Sequence, residues 1–299
     1  MRDGVININK PAGWTSQDVC AKLRSRLHIK KIGHTGTLDP MATGVLPVCI
    51  GKASRIIEYY DKDIKSYHAS MRLGIATDTL DISGEVLSEV PAEEIRVTEK
   101  EIREAFESYK GVIAQVPPKY SALKVNGKRA YDLARQGADF ELKAREVTIY
   151  KNDIARIDLA AKEIEFDVSC SKGTYIRSIC DDIGRALGCG AVMTALARTG
   201  SGCFILDSAV DIKELVSMTD EEIEGLIVPA DETLTMLGTA ELRSDRAKAF
   251  RNGNSSWLSH CRITEKTRFD NIYKVYSDGS FLGIAAAEGD ALVPLKVFN

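Results

Sequence analysis

Residues 163–188 read EIEFDVSCSKGTYIRSICDDIGRALG, and the apolar spacing changes period inside them. Ile164, Phe166, Val168 and Cys170 alternate with Glu163, Glu165, Asp167 and Ser169, which predicts a strand with one buried face. Beyond the turn Ser171-Lys172-Gly173-Thr174 the spacing becomes helical. Ile176, Ile179, Cys180, Ile183 and Leu187 fall on one face, and Gly188 stands where a left-handed residue ends a helix. Strand and helix each carry one apolar face to bury.

Working outward, a strand is expected over residues 146–157, and the alternation of Tyr67, Ala69, Met71 and Leu73 with His68, Ser70 and Arg72 predicts another over 67–73. Residues 5–9 (VININ) read as a short strand. Thr15 with Asp18, and Thr98 with Glu101, are capping boxes opening helices with Val19, Cys20, Leu23 and Leu27, and with Ile102, Phe106 and Tyr109, facing inward. The stretch QVPPKYSALKVNGKRAYDLARQG holds two prolines and an Asn126-Gly127 turn, and it reads as an excursion from the core. Around 237 the acidic helical pattern gives way to short strands with an Asp278-Gly279 turn. We therefore expect residues 1–237 and 238–299 as two domains, the second small, β-rich and packed on the first.

Composition narrows the function. At 299 residues, 44% hydrophobic and 28% charged, the chain has the makeup of a globular protein, and no apolar run is long enough for a membrane helix. The N-terminus lacks a secretory pattern, so a cytoplasmic protein is expected. Seven cysteines without C-x-x-C spacing and four scattered histidines point to reduced thiols, with no zinc site. Net charge is −3, yet residues 22–31 hold five basic residues and no acidic one, and residues 119–145 hold seven basic against three acidic. A basic face on an acidic protein suits a polyanion, although solvated helix faces give the same pattern.

From Ile32 to Gly51 the only charged side chain is Asp39, in GHTGTLDPMATG (33–44). Two readings are open. Asp39, Pro40 and Gly44 could cap a one-turn helix, with the carboxylate taken up by backbone N–H groups. Alternatively, glycines let a ligand approach while Pro40 holds Asp39 extended, a preorganised nucleophile or base. Arg177 could be its partner, in which case the guanidinium should lower the carboxyl's pKa, or it could be a solvated residue of a first helical turn. Phosphate-loop, G-x-S-x-G and H-E-x-x-H patterns are absent, which leaves chemistry without a cofactor.

The stretches GHTGTLDPMATGVLPVCIGKASR, KSYHASMRLG with TDTLD, VPPKYSALKVNGKRAYDLARQG and CSKGTYIRSICDDIGRALGCGA, in that order, closely resemble the TruB family of bacterial tRNA pseudouridine-55 synthases. The resemblance spans nearly the whole chain. It implies an α+β pseudouridine synthase fold, with a mixed, mainly antiparallel sheet flanked by helices, a thumb-like basic insertion at 119–145 and a small β-rich, PUA-like C-terminal domain. The implied activity is isomerisation of a T-loop uridine of tRNA, without cofactor or metal, by a monomer needing no protein partner. By that resemblance Asp39 is the essential aspartate, Arg177 its partner, and Tyr67 stacks on the target base. His34, Tyr175 and Leu196 contact substrate, while Lys119, Lys124, Lys128 and Arg129 meet RNA phosphates. His34 is a candidate to fill the gap left by the extracted base, or else a loop histidine bonding its own backbone. Tyr67 would otherwise be a core aromatic. One departure stands out, Ala197 before Arg198 where the family often has two basic residues, which puts a phosphate contact in question. Lys10 matches a family position without an evident role. A non-catalytic RNA-binding module is the rival reading, and Asp39 discriminates, since a carboxylate facing a polyanion weakens binding. A nucleoside hydrolase is disfavoured for want of a second carboxylate.

Overall fold

The computed structural model describes residues 3–62, 64–268 and 270–298. Its first body is built on strands β1 (Gly4–Lys10), β2 (Ile32–His34), β3 (Thr43–Ile50), β4 (Lys65–Leu73), β7 (Gly111–Gln115), β10 (Arg145–Asp158), β11 (Glu163–Cys170) and β12 (Ala191–Ser201). The order across the sheet is β1-β3-β12-β4-β11-β10-β7, with Val210–Asp211 outside β1 and β2 on β3. Pairing is mainly antiparallel, but β12 runs parallel to β3. The mixed sheet is as expected, and the strand and helix on either side of the 171–174 turn are Glu163–Cys170 and α4 (Ile176–Ala186), ending before Gly188 at φ +76°.

Helices α1 (Ser16–Leu27), α2 (Glu99–Ser108) and α4 cover one face. Both predicted capping boxes form, and Val19, Cys20, Leu23, Leu27, Ile102 and Phe106 are buried as read. Tyr67, Ala69, Met71 and Leu73 point into this core. In β3 the run VLPVCI is buried on both sides: Leu46, Val48 and Ile50 meet the helices, while Val45 and Cys49 meet Ala53, Ile56 and Tyr60 behind the sheet. A near-continuous apolar strand is what two covered faces require.

The excursion is a hairpin of β8 (Lys124–Val125) and β9 (Lys128–Arg129), followed by the short α3 (Ala130–Arg135). Asn126 and Gly127 turn it with φ +51° and +82°, the positive pair that a two-residue hairpin turn needs. Strands β5 (Ile75–Thr77) and β6 (Val86–Glu89) form another small separate ladder, holding the loop 78–85 between them.

A second, six-stranded sheet begins at Gly238, with its own core of Leu242, Phe250, Val275, Leu282 and Leu292. It meets the first body through apolar and polar contacts. Ile284 lies among Tyr60, Leu234 and Leu237, Tyr276 Oη donates to Asp231 Oδ2 at 2.7 Å, and Lys296 pairs with Glu58 at 2.6 Å.

The basic run 22–31 is partly taken up within the fold. Arg24 donates to the Ile32 carbonyl, while Arg26 is taken up by the Val216 and Met218 carbonyls and Asp220. Two of its five cations therefore tie α1 to its neighbours, leaving Lys22, Lys30 and Lys31 exposed. Among the described residues the cysteines form no disulfide, and Cys20, Cys49, Cys170 and Cys180 are buried.

Candidate active site

Asp39 sits in the loop between β2 and β3, and that loop is pinned from several sides. Thr35 N–H donates to the Pro47 carbonyl at 3.1 Å. Buried Ser16, at the first turn of α1, accepts from Leu38 N–H at 2.9 Å and returns a bond to its carbonyl at 3.2 Å. The Pro40 carbonyl accepts from Gly13 N–H at 2.8 Å and from Lys10 Nζ at 3.2 Å. The one-turn helix does not form. A single turn closed by Ala42 N–H to the Asp39 carbonyl at 3.0 Å runs straight into β3, because the Pro40 carbonyl is engaged from outside.

Lys10, without a role from sequence, is fully buried, and its other two bonds go to the Pro11 and Trp14 carbonyls at 2.9 and 2.6 Å. Three donors meet three acceptors, which fits an ammonium group. Burial pushes its pKa down to about 8, opposed by the nearby Asp39 charge. It anchors the turn that presents Asp39.

No main-chain N–H among the described residues donates to the Asp39 carboxylate. Its partner is Arg177, whose Nε lies 2.9 Å from Oδ2. The approach is off the N–H axis, so the contact is an ion pair more than an aligned hydrogen bond. Arg177 is 5% exposed at its side chain and far from the solvated alternative. The core packing of Ile176 and Ile179 turns it inward at the start of α4. Its Nη1 donates to the Thr79 carbonyl at 2.9 Å and lies 3.5 Å from Asp81 Oδ2, and its Nη2 donates to the Tyr120 carbonyl at 3.1 Å.

Asp81 is the residue that sequence reasoning missed. It is buried in the 78–85 loop, where Thr79 Oγ1 donates at 2.9 Å, Ser83 N–H at 3.0 Å, and the Ser83 hydroxyl also donates. The second carboxylate is thus present but fully engaged, which leaves no free acid for glycoside hydrolysis. Its signal was the TDTLD stretch, whose apolar neighbours hide a carboxylate that only a tertiary contact explains.

Asp39 also departs from expectation in sign. Burial raises its pKa above the ordinary carboxylate range, and Asp81 adds to the rise, while Arg177 and Lys10 oppose it. Desolvation outweighs the guanidinium. The side chain is nevertheless 34% exposed, so it faces an opening.

The other expected residues fall around this pair. Tyr67 is buried on β4, and Asp39's charge acts on its phenol. Tyr175 caps α4, feels both Asp39 and Arg177, and has its backbone clamped by Gln115, which accepts from its N–H at 2.8 Å and donates to its carbonyl at 3.1 Å. Leu196 is buried opposite Ala69 on β12. His34 does not bond its own backbone; its Nε2 lies 3.2 Å from Gln17 Nε2, so it accepts from that amide. Burial, with Arg198 and Arg24 nearby, lowers its pKa to about 4, leaving a neutral ring. Lys119, Lys124, Lys128 and Arg129 stand apart, exposed on the insertion, with Lys119 3.8 Å from Asp139. Arg198 is wholly shielded from solvent, so it is not a phosphate contact. Among the described residues no cluster of three His, Cys, Asp or Glu side chains could hold a metal.

Residues 24–176 match the family described as TruB family pseudouridylate synthase (N terminal domain), and 177–235 match the tRNA pseudouridylate synthase B C-terminal domain. The chain belongs to the TruB family of pseudouridylate synthases. Its TruB relatives include the tRNA pseudouridine synthase B of Alkaliphilus oremlandii, 43% identical over 96% of this chain and 94% of that protein. That of Clostridium perfringens strain SM101 is 46% identical over 94% of both. Among solved structures, a Cbf5-Nop10-Gar1 complex contains a chain that superposes with a TM-score of 0.78 at 26% identity, covering 98% of this chain and 84% of that one. As a TruB family member the protein is an RNA-modifying isomerase, and no helix of the described residues is long and apolar enough to cross a membrane.

Proposed function

We propose that the protein converts uridine 55 in the T loop of tRNA to pseudouridine, acting as a cytoplasmic monomer without cofactor. Relatives named for tRNA pseudouridine synthesis favour the substrate class. The observation carrying the chemistry is Asp39, a carboxylate beside a buried guanidinium, open to solvent on one side and unused by main-chain donors.

The reaction breaks the N1–C1′ bond, turns the uracil and forms a C5–C1′ bond. The C5 proton leaves and N1 gains one, so atoms and electrons balance without oxidant, hydrolysis or metal. One ionised carboxylate serves each available route: attack at C6, attack at C1′, or removal of the C2′ proton. Arg177 opposes the rise that burial imposes on its pKa and fixes its orientation. A T-loop base lies inside tertiary contacts and has to be everted, at a cost of roughly a few kcal/mol. Neutral His34 stacks in the vacated place, Tyr67 packs on the base, and Tyr175 and Leu196 line its position. Lys119, Lys124, Lys128 and Arg129 neutralise T-arm phosphates.

The test is incubation with an unmodified tRNA transcript, without metal or cofactor, followed by mapping of pseudouridine. Modification at the T-loop position alone is expected, and it should vanish with Asp39→Asn while tRNA binding persists. Product from the Asn variant would overturn the assignment.

A further inference from the structure

Arg198 is the largest fully buried side chain of the described residues, and it has no carboxylate partner among them. A buried cation without a counter-ion is costly unless its donors are well used. Here Nε donates to the Val45 carbonyl at 2.5 Å and Nη2 to the Gly36 carbonyl at 3.2 Å. Gly36 belongs to the loop that carries Asp39.

On its other side Arg198 stands directly opposite Tyr67 in the antiparallel pairing of β12 with β4, so the two side chains share a face. Its neighbour on β3 is Gly44, at φ +97°, where a Cβ would fall 2.2 Å from the Arg198 carbonyl oxygen. Glycine there lets the two strands close up around the guanidinium. Nη1 is buried and has no aligned acceptor in the free protein. The guanidinium charge nevertheless acts on the Tyr67 phenol, against the effect of burial, and on His34 and Lys10 as well.

We propose that Arg198 is a positioning residue for Tyr67: by spanning the Gly36 carbonyl and the cross-strand phenol, it sets the ring's place relative to the Asp39 carboxylate. The inference rests on the pseudouridine synthase reading, in which Tyr67 packs on the everted base. It differs from a structural anchor in one respect. Its effect on rate passes through the Tyr67 hydroxyl.

The test is a double-mutant cycle on T-arm RNA with Arg198→Met, Tyr67→Phe and their combination. Met fills the volume, and an apolar replacement of a buried ion often keeps the fold. Arg198→Met should lower kcat about tenfold or more with KM little changed, and in the Tyr67→Phe background it should cost little further. Multiplicative losses, or a loss in KM alone, would overturn the proposal while the function stands. If Arg198→Met does not fold, Arg198→Lys, which keeps the charge but cannot fork to both positions, replaces it in the same cycle. A second readout needs no activity: with 13C-labelled tyrosine, the Tyr67 signal, assigned by its loss in Tyr67→Phe, should move in the Arg198 variant. An unmoved signal sinks the proposal. Wild-type protein that forms no pseudouridine in any RNA fails the functional reading instead, and the ring signal still reports on Arg198.

Discussion

Arg177 Nε lies 2.9 Å from Asp39 Oδ2, yet the carboxyl's pKa is raised, because burial outweighs the neighbouring cation. The ionised form that the chemistry needs is therefore held at a cost to the fold, and this sign organises the following expectations.

Asp39→Asn should leave the protein as stable at pH 7 or more so. A carboxyl whose folded pKa exceeds its unfolded value binds its proton more tightly when folded, so stability falls as pH rises through that window. Asn removes this term. Thermal unfolding should show the variant's advantage shrinking on acidification towards the ordinary carboxyl range. A variant melting well below wild type at pH 7 would contradict the raised pKa.

The pH dependence of single-turnover rate should show an acid limb above the ordinary carboxylate range, set by Asp39, with activity gained as pH rises through it. His34, already neutral above about pH 4, should add no limb near 6.5. Arg177→Lys, which loses the fork of contacts, should move the limb upward. An unmoved limb would detach the guanidinium from the carboxyl.

Arg177→Leu should destabilise by about 3–5 kcal/mol, since it leaves Asp39 and Asp81 without their shared cation. Adding Asp81→Asn should restore part of that loss, measured by urea unfolding. Additive losses would mean that the two carboxylates do not share Arg177. The turnover lost in Arg177→Leu should exceed the loss in tRNA affinity.

Removal of residues 238–299 should weaken RNA binding and also lower the unfolding midpoint, because Tyr60, Leu234 and Leu237 lose the cover of Ile284. Some turnover should persist in the truncated chain. A truncated chain as stable as the whole would show that this apolar contact contributes little.

The local elements were legible because each rests on a short-range rule. Period two in 163–170, helical spacing in 176–187, Thr-x-x-Asp/Glu caps and Asn126-Gly127 all carry their cause within a few residues. Tertiary partners were not. Asp81 and Lys10 look like ordinary charged residues in TDTLD and NKPAG, and their burial depends on strands brought together from distant parts of the chain. The sign of the Asp39 shift escaped for the same reason: a sequence shows which charges exist, whereas desolvation depends on what surrounds them. Arg198 entered only as the residue after Ala197 at a questioned phosphate contact, and its burial follows from the pairing of β12 between β3 and β4.

Gln115 grips Tyr175 by both backbone groups, and Arg177 holds the Tyr120 carbonyl, so the root of the basic hairpin is fastened to the first turn of α4 at two points. A load on that hairpin would be borne by the helix turn that carries Arg177. The insertion and the Asp39 carboxylate are thus tied to the same short stretch of backbone, Tyr175–Arg177.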